Sequence, residues 1–428
     1  MARAILTRTR PLDADRRSPT RALIIDRIGA DGDGVAAGPV FVPLTLPGET
    51  VVGRQEGDRA DRVEILEASP DRVAPPCPHF GDCGGCALQH WRAAPYLEWK
   101  RERIRIALAR ERIETEILPT FSVPPGSRRR LALHARRSGA AATLGFKARR
   151  SWRLVAIDAC VIAHPAIVAA LPRLRRLAAP FLEHPKSAPV LHVTWTDTGL
   201  DVDVGGVERR GGGLSADARM RAAEMAREAD VARVTLAGEI VYQSRPARVR
   251  LGPASVDLPP GAFLQAVPAA EHALADFALG HAAGARAIAD LYCGVGTFTF
   301  RLAALAPVLA ADAAAPSVAA LTAAIATAPG LRAISAQVRD LDRRPMSPAE
   351  LKAIDAVLVD PPRAGAAGQS AALARSGVAR VIAVSCNPAT FARDAAILTQ
   401  GGFTLRQVLP VDQFLFSPHV ELAGVFSR

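Results

Sequence analysis

Short hydrophobic, β-branched runs recur among polar positions near the start of the chain, at 22–26, 38–43, 49–52 and 62–66, with glycine and proline between them. Even spacing of this kind predicts a small β-barrel over residues 21–74, behind a flexible tail at 1–20 rich in Arg, Asp, Thr and Pro. The period changes to a helical one at 93–113, where Leu97, Ile104, Ala107 and Leu108 share a stripe. Residues 119–260 show short strands and one helix near 216–229, which predicts an α+β segment. From 261 the pattern becomes apolar strands alternating with alanine-rich helices, the mark of a doubly wound, mostly parallel α/β sheet. Its last parallel strand is expected at 381–384, leading into Cys386, with Pro388 placed to open a helix.

Length and charge sharpen this picture. A chain of 428 residues implies two or three domains. A hydrophobic content of 49% with 22% charged residues is globular, and a net charge of +11 points to a polyanionic partner, nucleic acid first. Residues 1–17 hold no apolar core followed by a cleavage site, and Asp312 and Pro316 break the alanine-rich stretch at 302–328, so a cytoplasmic protein with no membrane partner is expected. In a reducing compartment six cysteines are metal ligands or catalytic groups before they are disulfides.

Three of those cysteines, Cys77, Cys83 and Cys86, follow the spacing C-x5-C-x2-C with glycines between them, and Cys160 is the only other one outside the C-terminal third. Four thiolates suit either zinc or an iron–sulfur cluster, and the single C-x2-C pair favours the cluster. Arg128-Arg129-Arg130, Arg136-Arg137 and the run from Lys147 to Arg153 suggest a positive surface for RNA phosphates. In the α/β region four expected strand ends carry Asp290, Asp312, Asp340 and Asp360. The first precedes Tyr292-Cys-Gly294-Val-Gly296-Thr297, a glycine turn without the third glycine of the dinucleotide fingerprint. That pattern suits a nucleoside sulfonium such as S-adenosylmethionine over NAD. Asp360-Pro-Pro-Arg also lacks the aromatic residue that exocyclic-amine methylation requires.

Taken together, Cys77-x5-CGGC, Phe263-Leu-Gln265, Asp290-LYCGVGTF, Asp360-PPRAG, Ser385-CNPATFARD and Pro418-His-Val-Glu421 resemble the RNA uracil-C5 methyltransferases. The resemblance is strongest to the iron–sulfur, 23S ribosomal-RNA-type members with an N-terminal TRAM domain. It implies a Rossmann-like class I methyltransferase domain (93–119 and 261–428), a TRAM or OB-like barrel, and a central α+β domain (75–92 and 120–260) carrying a [4Fe–4S] cluster on Cys77, Cys83, Cys86 and Cys160. By the same resemblance Cys386 is the nucleophile and Glu421 the general base. Gln265, Tyr292, Thr297, Asp312, Asp340 and Asp360 would bind S-adenosylmethionine. The implied activity is methylation of uracil C5 in RNA by a monomer, on 23S rRNA, with tRNA as the rival substrate and a non-catalytic RNA-binding or chaperone protein as the rival class. Aspartate stands at 312 where glutamate is usual, and Phe416-Ser-Pro-His-Val-Glu421 stands where a Pro-His-Thr-x-His segment is familiar.

Overall fold

A computed structural model describes residues 20–428 except 140 and 209–213. The tail expected at 1–20 lies almost wholly outside the described residues.

The first compact unit is a closed barrel of β1 (Thr20–Ile28), β2 (Gly34–Ala36), β3 (Val40–Val42), β4 (Thr50–Glu56) and β5 (Arg59–Glu67), in the order β1-β2-β3-β5-β4. Leu23, Ile25, Val42, Val51 and Ala60 turn inward at every second position and fill it. Glu49 is fully buried, and Arg72 holds both of its oxygens at 2.5 and 2.8 Å. Strand β2 is absent from the four expected runs because Gly34 and Ala36 flank a single β-branched residue, Val35, and leave no run to read.

Residues 74–428 form the second unit. It opens with α1 (Ala93–Arg110), β6 (Glu116–Ile117) and β7 (Phe121–Ser122). A seven-stranded sheet follows, built from β8 (Arg130–Ser138), β9 (Ala141–Lys147), β10 (Leu154–Ala156), β11 (Val190–Thr196), β12 (Gly199–Gly205), β13 (Arg233–Leu236) and β14 (Glu239–Gln243), in the order β10-β9-β8-β11-β12-β13-β14. Its apolar face packs on α2 (Pro165–Ala178) and α3 (Ala216–Glu228). The sequence pattern suggested only α3, so α2 is a correction. Its stripe of Ile167, Ala170, Leu171, Leu174 and Leu177 is buried, but Pro172 stands inside the helix. Proline removes one i→i−4 hydrogen bond and normally ends a helix. Here burial of the stripe outweighs that loss.

A hairpin of β15 (Arg248–Leu251) and β16 (Ala254–Asp257) leads to the second sheet. Its elements are α4 (Pro268–Ala282), β17 (Ile288–Leu291), α5 (Thr299–Leu302), β18 (Val308–Asp312), α6 (Ala315–Ile325), β19 (Ile334–Val338), β20 (Ala356–Val359), α7 (Ala367–Ala374), β21 (Arg380–Ser385), α8 (Pro388–Gln400), β22 (Thr404–Asp412) and β23 (Glu421–Ser427). The order is β19-β18-β17-β20-β21-β23-β22-β6, with β7 also paired to β22. Strands β17 to β21 are parallel, with the central β17 and β20 buried on both faces and the edge strand β19 half exposed, while β23 runs antiparallel to β21 and β22. The chain winds outward from β17 to β19, then returns to β20. This reversal makes a crevice at the carboxyl ends of β17 and β20, the place where such sheets hold ligands. Ile104 and Leu108 of α1 are buried in the same core as Phe391, Phe403 and Phe426, so α1 belongs to this layer. Among the described residues no helix is long and apolar enough to cross a membrane.

Candidate active site and cysteine-lined cavity

Strand direction explains how the candidate chemistry meets. Cys386 follows the last residue of β21, and Glu421 opens β23, which runs the opposite way with Ser385 paired to Leu422. An antiparallel neighbour therefore brings a residue 35 positions downstream to the carboxyl end of the parallel strands. Asn387 caps α8 by accepting a hydrogen bond from the Ala389 amide at 3.1 Å, with Pro388 at the first helical position, so the turn after Cys386 is held on its far side.

The carboxyl groups there are linked. Gln265 Nε2 donates to Asp360 Oδ2 at 3.2 Å, Gln413 Nε2 donates to Gln265 Oε1 at 2.8 Å and to Glu421 Oε2 at 2.7 Å, and the Ala266 amide donates to Gln413 Oε1 at 3.1 Å. Gln265, Gln413 and Glu421 are all buried. Burial, then the nearby Asp360, push the Glu421 carboxyl up to about 8, against the pull of the Gln413 amide. Burial also lifts Asp360 to about 7. The Cys386 thiol is pushed up to about 11, first by burial and then by Glu421 and Asp360, with Arg363 opposing. In the unliganded protein the thiol thus holds its proton at neutral pH.

The glycine turn after β17 forms a second group. Asp290, the third of the four residues in β17, is fully buried and raised to about 7 by burial, while Thr299 donates to its Oδ2 at 2.5 Å. Its Oδ1 has no hydrogen-bond partner. A buried orphan acceptor is costly and therefore fits a donor group arriving with a ligand. Gly296 has φ +96, and a Cβ there would lie 2.5 Å from the Phe300 ring, so only glycine allows this turn. Asp312 at the end of β18 accepts from the Gly294 amide at 2.9 Å and from the Ala314 amide at 2.8 Å, fixing its carboxylate beside the turn. Tyr292 adopts a left-handed φ of 63 and donates to Asp342 at 2.8 Å. Thr297 is buried next to the turn. Asp340 lies outside it on an exposed loop, where it accepts from the amides of Asp342 and Arg343 at 3.1 Å.

Sequence reasoning missed Gln413 and Arg129. A lone glutamine carries no motif; its only signal is its position just past the end of β22. Arg129 stood in a run assigned to an RNA-binding surface. The structure corrects that: Arg129 is buried, donating to the Gln265 carbonyl at 3.0 Å and to Glu271 at 2.5 Å. Arg130 donates to the Leu264 carbonyl at 2.8 Å. Both pin the 264–266 segment, and Arg129, being buried, is removed from any phosphate-binding surface.

Cys77, Cys83, Cys86 and Cys160 line one cavity of about 310 Å³ together with His79, Gln89, Arg128 and Phe414. Burial raises the Cys86 thiol to about 12, opposed by Gln89 and reinforced by Cys160, Cys83 and Cys77, and the Gly85 amide donates to Cys83 Sγ at 3.4 Å. Among the described residues no three His, Cys, Asp or Glu side chains stand in an arrangement that could itself hold a metal ion. The donor chemistry nevertheless fits a thiolate-bound centre, with four sulfurs from two chain segments facing one space.

The sheet order and the crevice define a class I methyltransferase fold. The family model for tRNA (Uracil-5-)-methyltransferase matches residues 257–428. An uncharacterized RNA methyltransferase of Caulobacter vibrioides is 61% identical, over 95% of this chain and 99% of its own. The 23S rRNA (uracil(1939)-C(5))-methyltransferase RlmD of Chromohalobacter salexigens is 34% identical, over 97% and 91%. Among solved structures, the Pyrococcus abyssi tRNA (uracil-54, C5)-methyltransferase in complex with S-adenosyl-L-homocysteine superposes with a TM-score of 0.74 at 25% identity, covering 95% of this chain and 99% of that one. The chain belongs to the RNA uracil-C5 methyltransferase family and is an RNA methyltransferase.

Proposed function

We propose that this enzyme methylates C5 of one uridine in 23S rRNA, using Cys386 as nucleophile and Glu421 as base. The observation that carries the assignment is the β21–β23 register, which brings the Cys386 turn and the Glu421 carboxyl to one end of the sheet, beside Asp360 and Gln265.

Uracil C5 is a weak nucleophile. Addition of the Cys386 sulfur to C6 forms an S–C6 bond and moves the C5=C6 electron pair toward C5 and O4. S-adenosylmethionine, when bound, supplies the methyl group that C5 then takes. Glu421 removes the C5 proton; the electron pair re-forms C5=C6 as the S–C6 bond breaks and the thiolate leaves. Because the free thiol is raised to about 11, its proton must be lost in the bound complex, where the buried Asp360 carboxylate is the acceptor that leaves Glu421 free for the C5 proton. Gln413 positions Glu421 and, by donating to it, favours the carboxylate form that the proton step needs. Asp360 and Gln265 are placed to meet the uracil edge or the donor.

For the methyl donor, Asp312 offers carboxylate oxygens to the ribose hydroxyls, Asp290 an unsatisfied acceptor, and Tyr292 and Thr297 the walls of the turn, with Asp340 at its outer edge. A [4Fe–4S] cluster on Cys77, Cys83, Cys86 and Cys160 would tie residues 77–86 to 160, and the barrel would serve as the TRAM-type RNA clamp. The ribosomal substrate is favoured by the 34% identical relative named for 23S rRNA, matched over 97% of this chain. The second reading, tRNA, is supported by the superposition on the archaeal tRNA enzyme. Release of tritium from [5-³H]uridine-labelled 23S rRNA and tRNA, dependent on S-adenosylmethionine, tests the assignment: release from 23S rRNA alone is expected, release from tRNA alone gives the second reading, and methyl transfer without tritium release from either would refute C5 chemistry.

A further inference from the structure

The central sheet has one face covered by α2 and α3; the opposite face is open along β8 and β9, where Ala132 and Arg136 are exposed, and is buried toward β12 and β13, at Asp201, Arg233 and Thr235. Cross-strand pairing identifies the residues of this second face. His134 lies opposite Gly145, Arg136 opposite Thr143, Leu154 opposite Lys147, Ala132 opposite His192 and Thr194 opposite Arg130. At the β9–β10 end of this face stands Trp152. Trp152 is 76% exposed, the most of any large apolar residue among those described, and the Lys147 ammonium sits 3.9 Å from its ring centroid. A single exposed apolar residue is ordinary, but an indole beside a lysine on a turn is the kind of flat surface on which a base stacks.

The hairpin tip that carries Trp152 is well fixed. The Ala148 amide donates to the Arg153 carbonyl at 2.8 Å, the Ser151 amide to the Ala148 carbonyl at 3.1 Å, and Arg136 Nη2 to the Trp152 carbonyl at 2.8 Å. Behind it the cysteine loop is bolted on: the Gly84 amide donates to the Lys147 carbonyl at 2.9 Å, and a Cβ at Gly84 would lie 2.7 Å from that oxygen. The surroundings are cationic. Burial and then Lys147, His192 and Arg136 hold the His134 imidazole below its ordinary value, which places four basic side chains within electrostatic reach of one another. The nearby acids are engaged: Asp82 with Arg153 at 3.0 Å, Asp201 with Arg233 at 2.8 Å and Asp203 with Thr235 at 2.6 Å. Along β8 the same face reaches Arg130, whose guanidinium lies 5.2 Å from the ring of Phe263, itself exposed two residues before Gln265. His134 and Arg130 are four residues apart, a span of about 13 Å at strand rise. The open part of this face therefore runs from Trp152 along β8 toward the 263–265 segment.

We propose that Trp152, backed by Lys147 and the basic open face of the central sheet, is a stacking platform for an unpaired nucleotide of the RNA substrate, away from the uridine that reacts. A flat indole on a rigid turn, flanked by cations and continuous with the active-site edge, matches what single-stranded RNA offers: bases with π-faces on a phosphate backbone. The inference rests on the substrate being RNA, as proposed above.

The test uses the full chain and 5-fluorouridine-substituted 23S rRNA fragments and tRNA, measuring both filter retention and the rate of covalent adduct formation against RNA concentration. Trp152→Ala should raise the RNA concentration for half-saturation roughly five- to hundredfold, the range that loss of one base stack produces. The adduct rate at saturating RNA and the binding of S-adenosylmethionine should be unchanged. Trp152→Phe should retain most of the affinity, and Lys147→Ala should reduce the slope of log affinity against log salt by about 0.7. Half-saturation unaltered in Trp152→Ala, or a loss confined to the saturated rate, overturns the proposal. If the wild-type chain traps neither RNA, the uracil-C5 assignment fails by itself, and filter retention of the same two RNAs by wild type and Trp152→Ala still decides the stacking proposal.

Discussion

Gln413 donates from Nε2 to Oε2 of Glu421 at 2.7 Å, in a region where both side chains are buried. A hydrogen bond to the charged form stabilises that form, so Gln413 opposes the burial and the Asp360 charge that lift Glu421 to about 8. Gln413→Leu removes the donor and keeps the volume. The acid limb of the single-turnover pH profile should then move to higher pH, and the rate at pH 7 should fall about ten- to hundredfold, the worth of a hydrogen bond to a charged group. Gln413→Asn should recover part of the loss. An unshifted profile in Gln413→Leu would remove Gln413 from the proton step.

The wild-type profile carries its own expectation. A base that must be ionised and has an acidity near 8 is mostly protonated at pH 6, so methylation should climb through pH 7 and 8. Stability should run the other way. Glu421, Asp360 and Asp290 all have folded values raised above the ordinary carboxylate range, to about 8, 7 and 7, so between roughly pH 4 and 8 the folded state holds protons that the unfolded state has lost. Their contribution to stability is present below the unfolded value and is lost as pH rises through the folded one. Glu421→Gln should consequently raise the melting temperature more at pH 8.5 than at pH 5, as thermal unfolding at the two pH values will show.

Lys100 of α1 and Asp412 at the end of β22 form an ion pair with both side chains fully buried, and Asp412 immediately precedes Gln413. Burial brings the Lys100 ammonium down to about 8 even with Asp412 favouring its charge. Lys100→Ala would leave the Asp412 carboxylate alone in the core, at a cost of about 3–5 kcal/mol in stability. Lys100→Met combined with Asp412→Leu should cost far less. Chemical denaturation of the two variants distinguishes a pair that fixes the Gln413 segment from a dispensable one.

The cysteine-lined cavity gives a prediction in the as-purified protein. Four thiols around one space should yield an anaerobically isolated chain with a broad absorbance near 400 nm and about four irons per chain, as a Cys₄-ligated [4Fe–4S] centre requires. Cys86→Ala should lose both. Zinc bound in its place, without that absorbance, would assign the cavity to a structural zinc.

Several of these relationships could be read from the sequence and others could not. The short β-branched runs around Leu23, Val42, Val51 and Ile65 are visible because glycine and proline separate them. The buried parallel strands stand out as unbroken apolar runs. Helix α2 was hidden by Pro172, whose local penalty is offset by tertiary burial that no window of sequence contains. Motif residues such as Cys386, Asp360 and Gln265 stand in recognisable strings, whereas Gln413 acquires meaning only when β22 and β23 pair and set it between Gln265 and Glu421. Arg129 shows the converse. A basic run suggested phosphate, and three-dimensional packing turned its middle member inward to Glu271. The elevated acidity value of the Cys386 thiol, raised by burial and then by carboxyl groups distant in sequence, was likewise invisible before folding.

Attack of one sulfur on uracil is the step on which the proposed chemistry depends, and Cys386→Ala with intact S-adenosylmethionine binding should abolish it. The most direct measurement is a denaturing gel of the anaerobically purified chain after incubation with S-adenosylmethionine and 5-fluorouridine-substituted 23S rRNA. Fluorine cannot leave C5 as a proton does, so a retarded protein–RNA band should accumulate in the wild type and be absent from Cys386→Ala. A band that persists in Cys386→Ala, or no band from protein that binds donor and RNA alike, would contradict Cys386 as the nucleophile.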